Sequence, residues 1–461
     1  IFEYADHRKP QEFTMEKDHE EAQHIAEESM VLLKNENHIL PLKTSEKAAF
    51  IGGFARNPRF QGGGSSHINC FKTTNVLDSD AQVVYAEGFP ADRDFYDKAL
   101  ADEAVKAAAE ADKAVIFAGL PESFESEGYD RSHMRLPECQ NRLITEILKV
   151  QPNTVIVLHN GSPVEMPWLG EIKGLLETYL GGQAGGAAAA NILYGKINPS
   201  GKLAETMPLK LSDNPSYLNF GGGEKVEYRE GIFVGYRYYD TKEMDVAFPF
   251  GYGLSYTTFA YSNLKLSMEN PTEKDTVMVS ADITNTGKSA GKEVVQLYIR
   301  DLTGSAIRPE KELKGFEKVF LEPGETKTVT MELNKRSFAW YNTELHDWFA
   351  ASGDYEILVG ASSRDIRLTE TLHLNSSQRL PMHVHMNTTL GDLLRNPETA
   401  EAAKKLIQKY LSGEAGSEAA SEAVSEEMTM AMTDSMPLRA LMGFAGVSRK
   451  ELDSVIEKLN K

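Results

Sequence analysis

The spacing of apolar residues changes near residue 258, and no single structural class accommodates the patterns on either side. Before that point, short apolar runs at 48–51, 114–117, 154–158 and 174–176 read as buried strands. Between them lie amphipathic stretches, notably 95–112 and 137–150, the second opening on Pro137 as helices often do. The segment 18–36 also sets Ala22, Ile25, Ala26, Ser29 and Leu33 at helical spacing. Buried strands separated by helices predict an α/β layer with a mostly parallel sheet over residues 24–205.

Beyond 258 the period is two. Val277, Val279, Ala281 and Ile283 alternate with Met278, Ser280 and Asp282, and the runs through Val295, Val329 and Tyr355 repeat the pattern. Turn signals such as 285–287 and Pro323-Gly324 separate these runs, so residues 258–375 predict a β-sandwich of immunoglobulin type. The stretch 206–257, rich in Gly, Tyr and Pro, reads as a connecting segment. Residues 376–461 turn helical, at Thr389–Leu411 and Val447–Leu459, around an Ala, Ser, Gly and Glu stretch at 413–427 that reads as a loose connector.

Charge and cysteine content narrow the partners. With 68 acidic and 49 basic side chains among 461 residues, the chain carries a formal charge of -19. That balance argues against nucleic acid and anionic membranes and leaves neutral ligands such as sugars open. Cys70 and Cys139 are too few for a disulfide framework and are expected to be reduced and buried. No stretch has the ~20 uninterrupted apolar residues of a membrane span. The first residues, beginning at Ile1 with the first Met at Met15, resemble neither a leader nor a translation start. The chain therefore reads as part of a longer product, and its localisation leans cytoplasmic.

In an open α/β sheet, ligands bind beyond the carboxyl ends of the strands. Three loops qualify: 53–67, 120–131 and 159–163. The first holds Gly62–Gly64 without Walker spacing, so a tight turn is favoured over a phosphate cradle. Its Arg59, Gln61, Ser65, Ser66 and His67 suit the hydroxyls of a neutral ligand. The second gathers Glu122, Glu125, Glu127 and Asp130 around Phe124 and Tyr129, aromatic rings able to stack on a sugar. Like charges and rings would raise a carboxyl pKa, as a general acid requires. His383 and His385, at i, i+2, would share one face of a strand but lack a further ligand nearby, so an incidental pair is expected. Trp340 and Trp348 read as packing residues, and Ser162 lacks the elbow of a serine hydrolase.

These motifs, in this order, resemble glycoside hydrolase family 3: ESMVLLKN at 28–35, RFQGGGSS at 59–66, ESEGYDR at 125–131, Leu136-Pro137 with Gln140, GGQAG at 181–185, GKINPSGKL at 195–203, VGYRYY at 234–239 and FPFGYGLSY at 248–256. The second-loop motif is similar to that of the family's β-glucosidases. The resemblance implies an (α/β)6 sandwich, a fibronectin type III-like domain and a helical tail. It also implies a retaining, exo-acting β-glucosidase mechanism without cofactor. Glu127 would be the acid/base, with Glu125 the runner-up. Arg59, Ser65, Ser66, Phe124 and Tyr129 would contact substrate, and Asp130 would pair with Arg131. The family's nucleophile lies in a Ser-Asp-Trp motif on a (β/α)8 barrel. The sole Asp-Trp here, Asp347-Trp348, lies in the β region. Residues 1–23 resemble the linker following that barrel, so the chain is expected to need a barrel on another chain, or one removed upstream, and to be inactive without it. The substrate would be a β-glucoside or oligosaccharide. A homo-oligomer stays open, as does a non-catalytic carbohydrate-binding or scaffolding role.

Overall fold

The computed structural model describes residues 13–79, 83–221, 223–410, 431–432 and 434–460. These fall into two units, Ile1–Gln378 and Arg379–Lys461. The first combines an α/β layer with an all-β sandwich, the class expected from the change in period.

Its larger sheet has six strands: β1 (Val31–Asn35), β2 (Ala48–Ile51), β3 (Val83–Ala86), β4 (Lys113–Gly119), β5 (Thr154–His159) and β6 (Gly174–Glu177). They lie in the order β1-β6-β5-β4-β2-β3. Every pair is parallel except β1 with β6. The strands β2, β5 and β6 are buried along their whole length, which is why their sequences are unbroken apolar runs. Helices α1 (Met15–Ser29), α2 (Lys98–Ala109), α3 (Glu138–Leu148) and α4 (Gly185–Leu193) connect and cover them.

The helical reading of 18–36 is corrected at its second half. Helix α1 ends at Ser29, Met30 is extended, and Leu33 lies in the antiparallel edge strand β1. The run Val31-Leu32-Leu33 is entirely buried, so the unfilled edge of β6 competes for it more strongly than helix continuation does. The strand β3, the apolar run Val83-Val84-Tyr85-Ala86, was missed in the sequence; it lies at the sheet edge and is only partly buried.

After β2 the chain crosses to β3 at the edge, then returns to β4 on the other side of β2. The loops leaving β2 and β4 thus start side by side and diverge, the arrangement that opens a crevice in such sheets. Gly52 begins the first of them at φ 113°, and an added Cβ would lie 2.4 Å from the Phe117 carbonyl oxygen of β4. Only glycine fits there.

The connecting residues form a two-strand pair, β7 (Met207–Pro208) with β8 (Val246–Phe248), and a short helix α5 (Tyr236–Thr241). The sandwich follows. One sheet has β9 (Phe259–Leu266), β10 (Val277–Asn285) and β13 (Thr326–Leu333); the other has β11 (Gly291–Asp301), β12 (Glu312–Leu321), β16 (Gly353–Ser362) and β17 (Asp365–Leu374). All neighbours are antiparallel. Val277, Val279, Ala281 and Ile283 point into its core, as period two demands. Trp340 packs edge-on against Phe349, and Trp348 lies under the Arg336 guanidinium at 3.4 Å, so both are packing residues. They belong to the short pair β14 (Trp340–Asn342) and β15 (Asp347–Phe349).

The second unit closes its own core from Leu390, Leu393, Leu406, Leu438, Leu441 and Leu452. The helix expected over Thr389–Leu411 is two, Leu390–Arg395 and Ala400–Tyr410, because Pro397 cannot donate within a continuous helix. His383 and His385 lie outside any strand. Among the described residues no three His, Cys, Asp or Glu side chains form a metal-sized group, and no helix is long and apolar enough to cross a membrane. The connector at 413–427 lies outside the described residues. Cys139 is buried as expected, whereas Cys70 is half-exposed; both are free.

Substituting Gly52→Ala should therefore destabilise the first unit by at least about 3 kcal/mol, through positive-φ strain combined with overpacking against β4. Urea denaturation measures the difference, and a loss under 1 kcal/mol would contradict the close approach.

Candidate functional site

The three loops meet at Glu125. Arg59, leaving β2, crosses to the β4 loop and donates from Nη1 to the Glu125 carboxylate (2.6 Å) and the Leu120 carbonyl (3.1 Å), and from Nη2 to the Glu125 carbonyl (2.9 Å). From the β5 loop, the Gly161 amide donates to the same carboxylate (2.8 Å), and the Ser162 hydroxyl donates to its other oxygen. The Arg59 side chain is 6% exposed and that of Glu125 17%, so this is a largely desolvated ion pair.

Burial pushes the Glu125 carboxyl up, but Ser162, Gly161 and Arg59 together outweigh it and hold the group below its ordinary value. The expectation of a raised pKa from crowded acidic side chains is thus corrected. The loop is crowded in sequence, but Glu125 and Glu127 are each supplied with their own donors in space.

Glu127 is placed differently. It is exposed at the crevice, and its contacts come from Ser65: the hydroxyl lies 2.7 and 2.6 Å from its two oxygens, and the amide donates to Oε2 at 2.5 Å. The Ser65 hydroxyl and then its amide lower the Glu127 pKa. Gly64, at φ 93°, makes room for this approach, because a Cβ there would lie 2.5 Å from Glu127 Oε2. The glycine run is a tight turn around a carboxylate.

Of the remaining residues read from the sequence, Ser66 is exposed on the same turn without a hydrogen bond to either glutamate. Phe124 is half-buried, packs against the α/β core and meets His133 edge-on at 5.9 Å, so it supports the loop from beneath. Tyr129 is 49% exposed, and its hydroxyl donates to the Glu122 carbonyl at 2.5 Å. Gln61 closes its own loop by accepting from the Ile68 amide (2.9 Å), while His67 meets Glu122 at 2.8 Å. Arg131 does not pair with Asp130. Its Nη1 donates to Ser162 Oγ (2.8 Å) and the Pro163 carbonyl (3.0 Å), 4.0 Å from Glu125.

Sequence reading missed the acidic layer below. Glu177, at the end of β6, is fully buried; it accepts from Asn160 Nδ2 (3.1 Å) and the Tyr179 amide (2.8 Å), and burial drives its pKa to about 8. The Tyr179 hydroxyl donates to Glu205 at 3.1 Å, and burial raises Glu205 as well. One signal was available: a glutamate ending the apolar run Gly174-Leu175-Leu176 is a charge where a buried strand tolerates none without a partner.

The chain's comparisons with known proteins agree on its lineage. The glycosyl hydrolase family 3 C-terminal domain model matches residues 30–256, and a fibronectin type III-like domain model matches 293–363. Thermostable beta-glucosidase B of Acetivibrio thermocellus is 48% identical over 452 residues, covering 96% of this chain and 59% of that protein. An exo-alpha-(1->6)-L-arabinopyranosidase of Bifidobacterium breve is 41% identical, over 94% and 58%. The crystal structure of a family 3 beta-glucosidase from Bifidobacterium adolescentis superimposes with a TM-score of 0.80 at 42% identity, over 88% of this chain and 60% of that one. The chain thus spans about three fifths of the length of these relatives.

Two outcomes test this geometry. Gly64→Ala should turn Glu127 away from Ser65, visible as a rise of the Glu127 pKa toward its ordinary value in carboxyl NMR titration. Glu177 loses its proton near 4.5 in the unfolded chain and near 8 in the folded one. Between those pH values the folded state binds the extra proton, so its contribution to stability is full below about 4.5 and falls as pH rises toward 8. Glu177→Gln should remove that component, up to about 1.4 kcal/mol per pH unit, from urea-derived stabilities compared at pH 5, 6, 7 and 8.

Proposed function

This chain belongs to glycoside hydrolase family 3, and we propose that it is the acid/base-bearing portion of a retaining, exo-acting β-glucosidase, with Glu127 as the acid/base. The nucleophilic aspartate would come from a (β/α)8 barrel, on another polypeptide or upstream of these residues. Glu127 would protonate the departing glycosidic oxygen as its bond to the anomeric carbon breaks and the aspartate bonds to that carbon. It would then take a proton from the water that displaces the aspartate, regenerating both carboxyl groups.

The observation that carries this reading is the contrast between the two glutamates. Glu125 spends both oxygens on Arg59, Gly161 and Ser162 in a largely buried pair, so protonating it would forfeit several charge-assisted bonds. Glu127 stands exposed at the crevice with one hydroxyl and one amide as partners. A barrel and a sugar closing over it would remove water and raise its pKa toward that of a general acid, the direction burial imposes on any carboxyl. Arg59 would act as the loop's anchor, and Ser65 would aim Glu127. Ser66 and Tyr129, exposed on the same crevice, would be free to meet substrate, with Phe124 supporting them. No metal or organic cofactor has a role in this chemistry.

The Ser65 contacts also favour a second reading. They keep Glu127 ionised in the chain by itself, so it could accept hydrogen bonds from a sugar in a non-catalytic binding or scaffolding subunit. Combining the chain with a family barrel separates the two. Glu127→Gln should lower turnover of an alkyl β-glucoside by about 10²- to 10⁴-fold and that of an activated aryl β-glucoside far less, since a good leaving group needs little protonation. Equal loss on both substrates, or none, contradicts the acid/base role. An aryl α-L-arabinopyranoside assayed alongside reports the preferred sugar.

A further inference from the structure

A second cavity, of about 410 Å³, opens beside this site. Its wall is drawn from the β4 and β5 loops and from the connecting residues 205–239, and it contains none of Arg59, Ser65, Ser66, Phe124, Glu125, Glu127 or Tyr129. What sets it apart is its unpaired polar chemistry. Among the described residues, eleven buried side-chain nitrogen or oxygen atoms have no hydrogen-bond partner, and five belong to residues of this one wall: Arg131 Nη2, His133 Nδ1, Thr206 Oγ1, Glu230 Oε2 and Tyr239 Oη. Tyr239 is 2% exposed and Thr206 5%, so neither is a surface group that bulk water satisfies. Orphaned buried polar atoms are costly and rare in native proteins, and their concentration on one cavity indicates a molecule that pairs with them.

The residue types restrict that molecule. Arg131 only donates, the Glu230 carboxylate only accepts, and Thr206, His133 and Tyr239 can do either. A phosphate or carboxylate, which accepts alone, would face Glu205 and Glu230. A divalent cation would face the Arg131 guanidinium, and among the described residues no metal-sized cluster exists. Hydroxyl groups both donate and accept without charge. Met134, Pro208, Leu211 and Val234 add an apolar wall suited to the C–H face of a ring, and the volume falls in the range of small-ligand pockets.

We propose that this cavity is a binding site for one neutral, hydroxyl-rich molecule of monosaccharide size, separate from the glutamate crevice. Arg131 and Ser162 line it and also touch Glu125 or its partners, so the two sites share a wall. The proposal goes beyond the acid/base reading and stands whether or not Glu127 serves as proton donor.

Isothermal titration of the full 461-residue chain with D-glucose, myo-inositol and inorganic phosphate tests it, together with a crystal soaked in glucose. Binding of glucose or inositol is expected, with phosphate silent. Tyr239→Phe and Thr206→Val should each weaken binding about three- to tenfold, the value of one hydroxyl hydrogen bond. Ser65→Ala should leave it unchanged. The soak, which needs no variant to fold, should show the sugar within hydrogen-bond reach of Tyr239 Oη. Absence of binding, a phosphate response without a sugar response, or weakening by Ser65→Ala in place of the cavity variants overturns the proposal.

Discussion

The Arg59–Glu125 ion pair is the contact on which the crevice depends. It joins the loop after β2 to the loop after β4, and the β5 loop closes on the same carboxylate through Gly161 and Ser162. A buried pair of this kind contributes little net stability against an apolar alternative, but losing one partner strands the other charge. Its effect is therefore chiefly geometric: three irregular loops acquire one shared anchor. The pair forms because the chain reverses its direction of travel across the sheet between β3 and β4, leaving the β2 and β4 loops adjacent at their origin.

The same logic of charged anchors holds the α/β layer to the β-sandwich within the first unit. Glu28, near the end of α1, receives Lys318 at 2.6 Å and Lys292 from the sandwich. Lys202 meets Glu293 at 3.0 Å, and Arg364 meets Asp240 at 2.6 Å. Gln296 on β11 donates to the Gly251 and Ala361 carbonyls, tying the connecting segment into the sandwich. The stretch 206–257 accordingly does more than span a gap. It supplies one wall of the second cavity and docks against both neighbouring layers.

Periodicity made the parallel strands and the sandwich strands legible, since both-face burial and one-face burial leave distinct patterns in sequence. It misled at 30–35, where four consecutive buried residues fit either a helix or a strand and only the free edge of β6 decides between them. The acidic loop was legible as a site through its composition and its place after β4. The roles within it were not, because Glu125 and Glu127 differ by two residues in sequence yet meet partners 66 and 62 residues away. The raised-pKa expectation failed for the same reason, since donors from Arg59, Ser65, Gly161 and Ser162 arrive across loops. The Glu177 layer and the second cavity draw on strand ends and on a connecting segment that carries no periodic signal.

The sequence by itself determined the two structural classes and the point where one gives way to the other. It also determined the loops that carry polar chemistry and the family to which the motifs belong, because these follow from local pattern and residue type. The tertiary structure decided which glutamate is locked into an ion pair and which faces the crevice, and which buried polar atoms are left without partners. Those outcomes depend on donors brought together from distant loops, and hydrogen bonding and desolvation act over a few ångströms of space with no regard to separation along the chain.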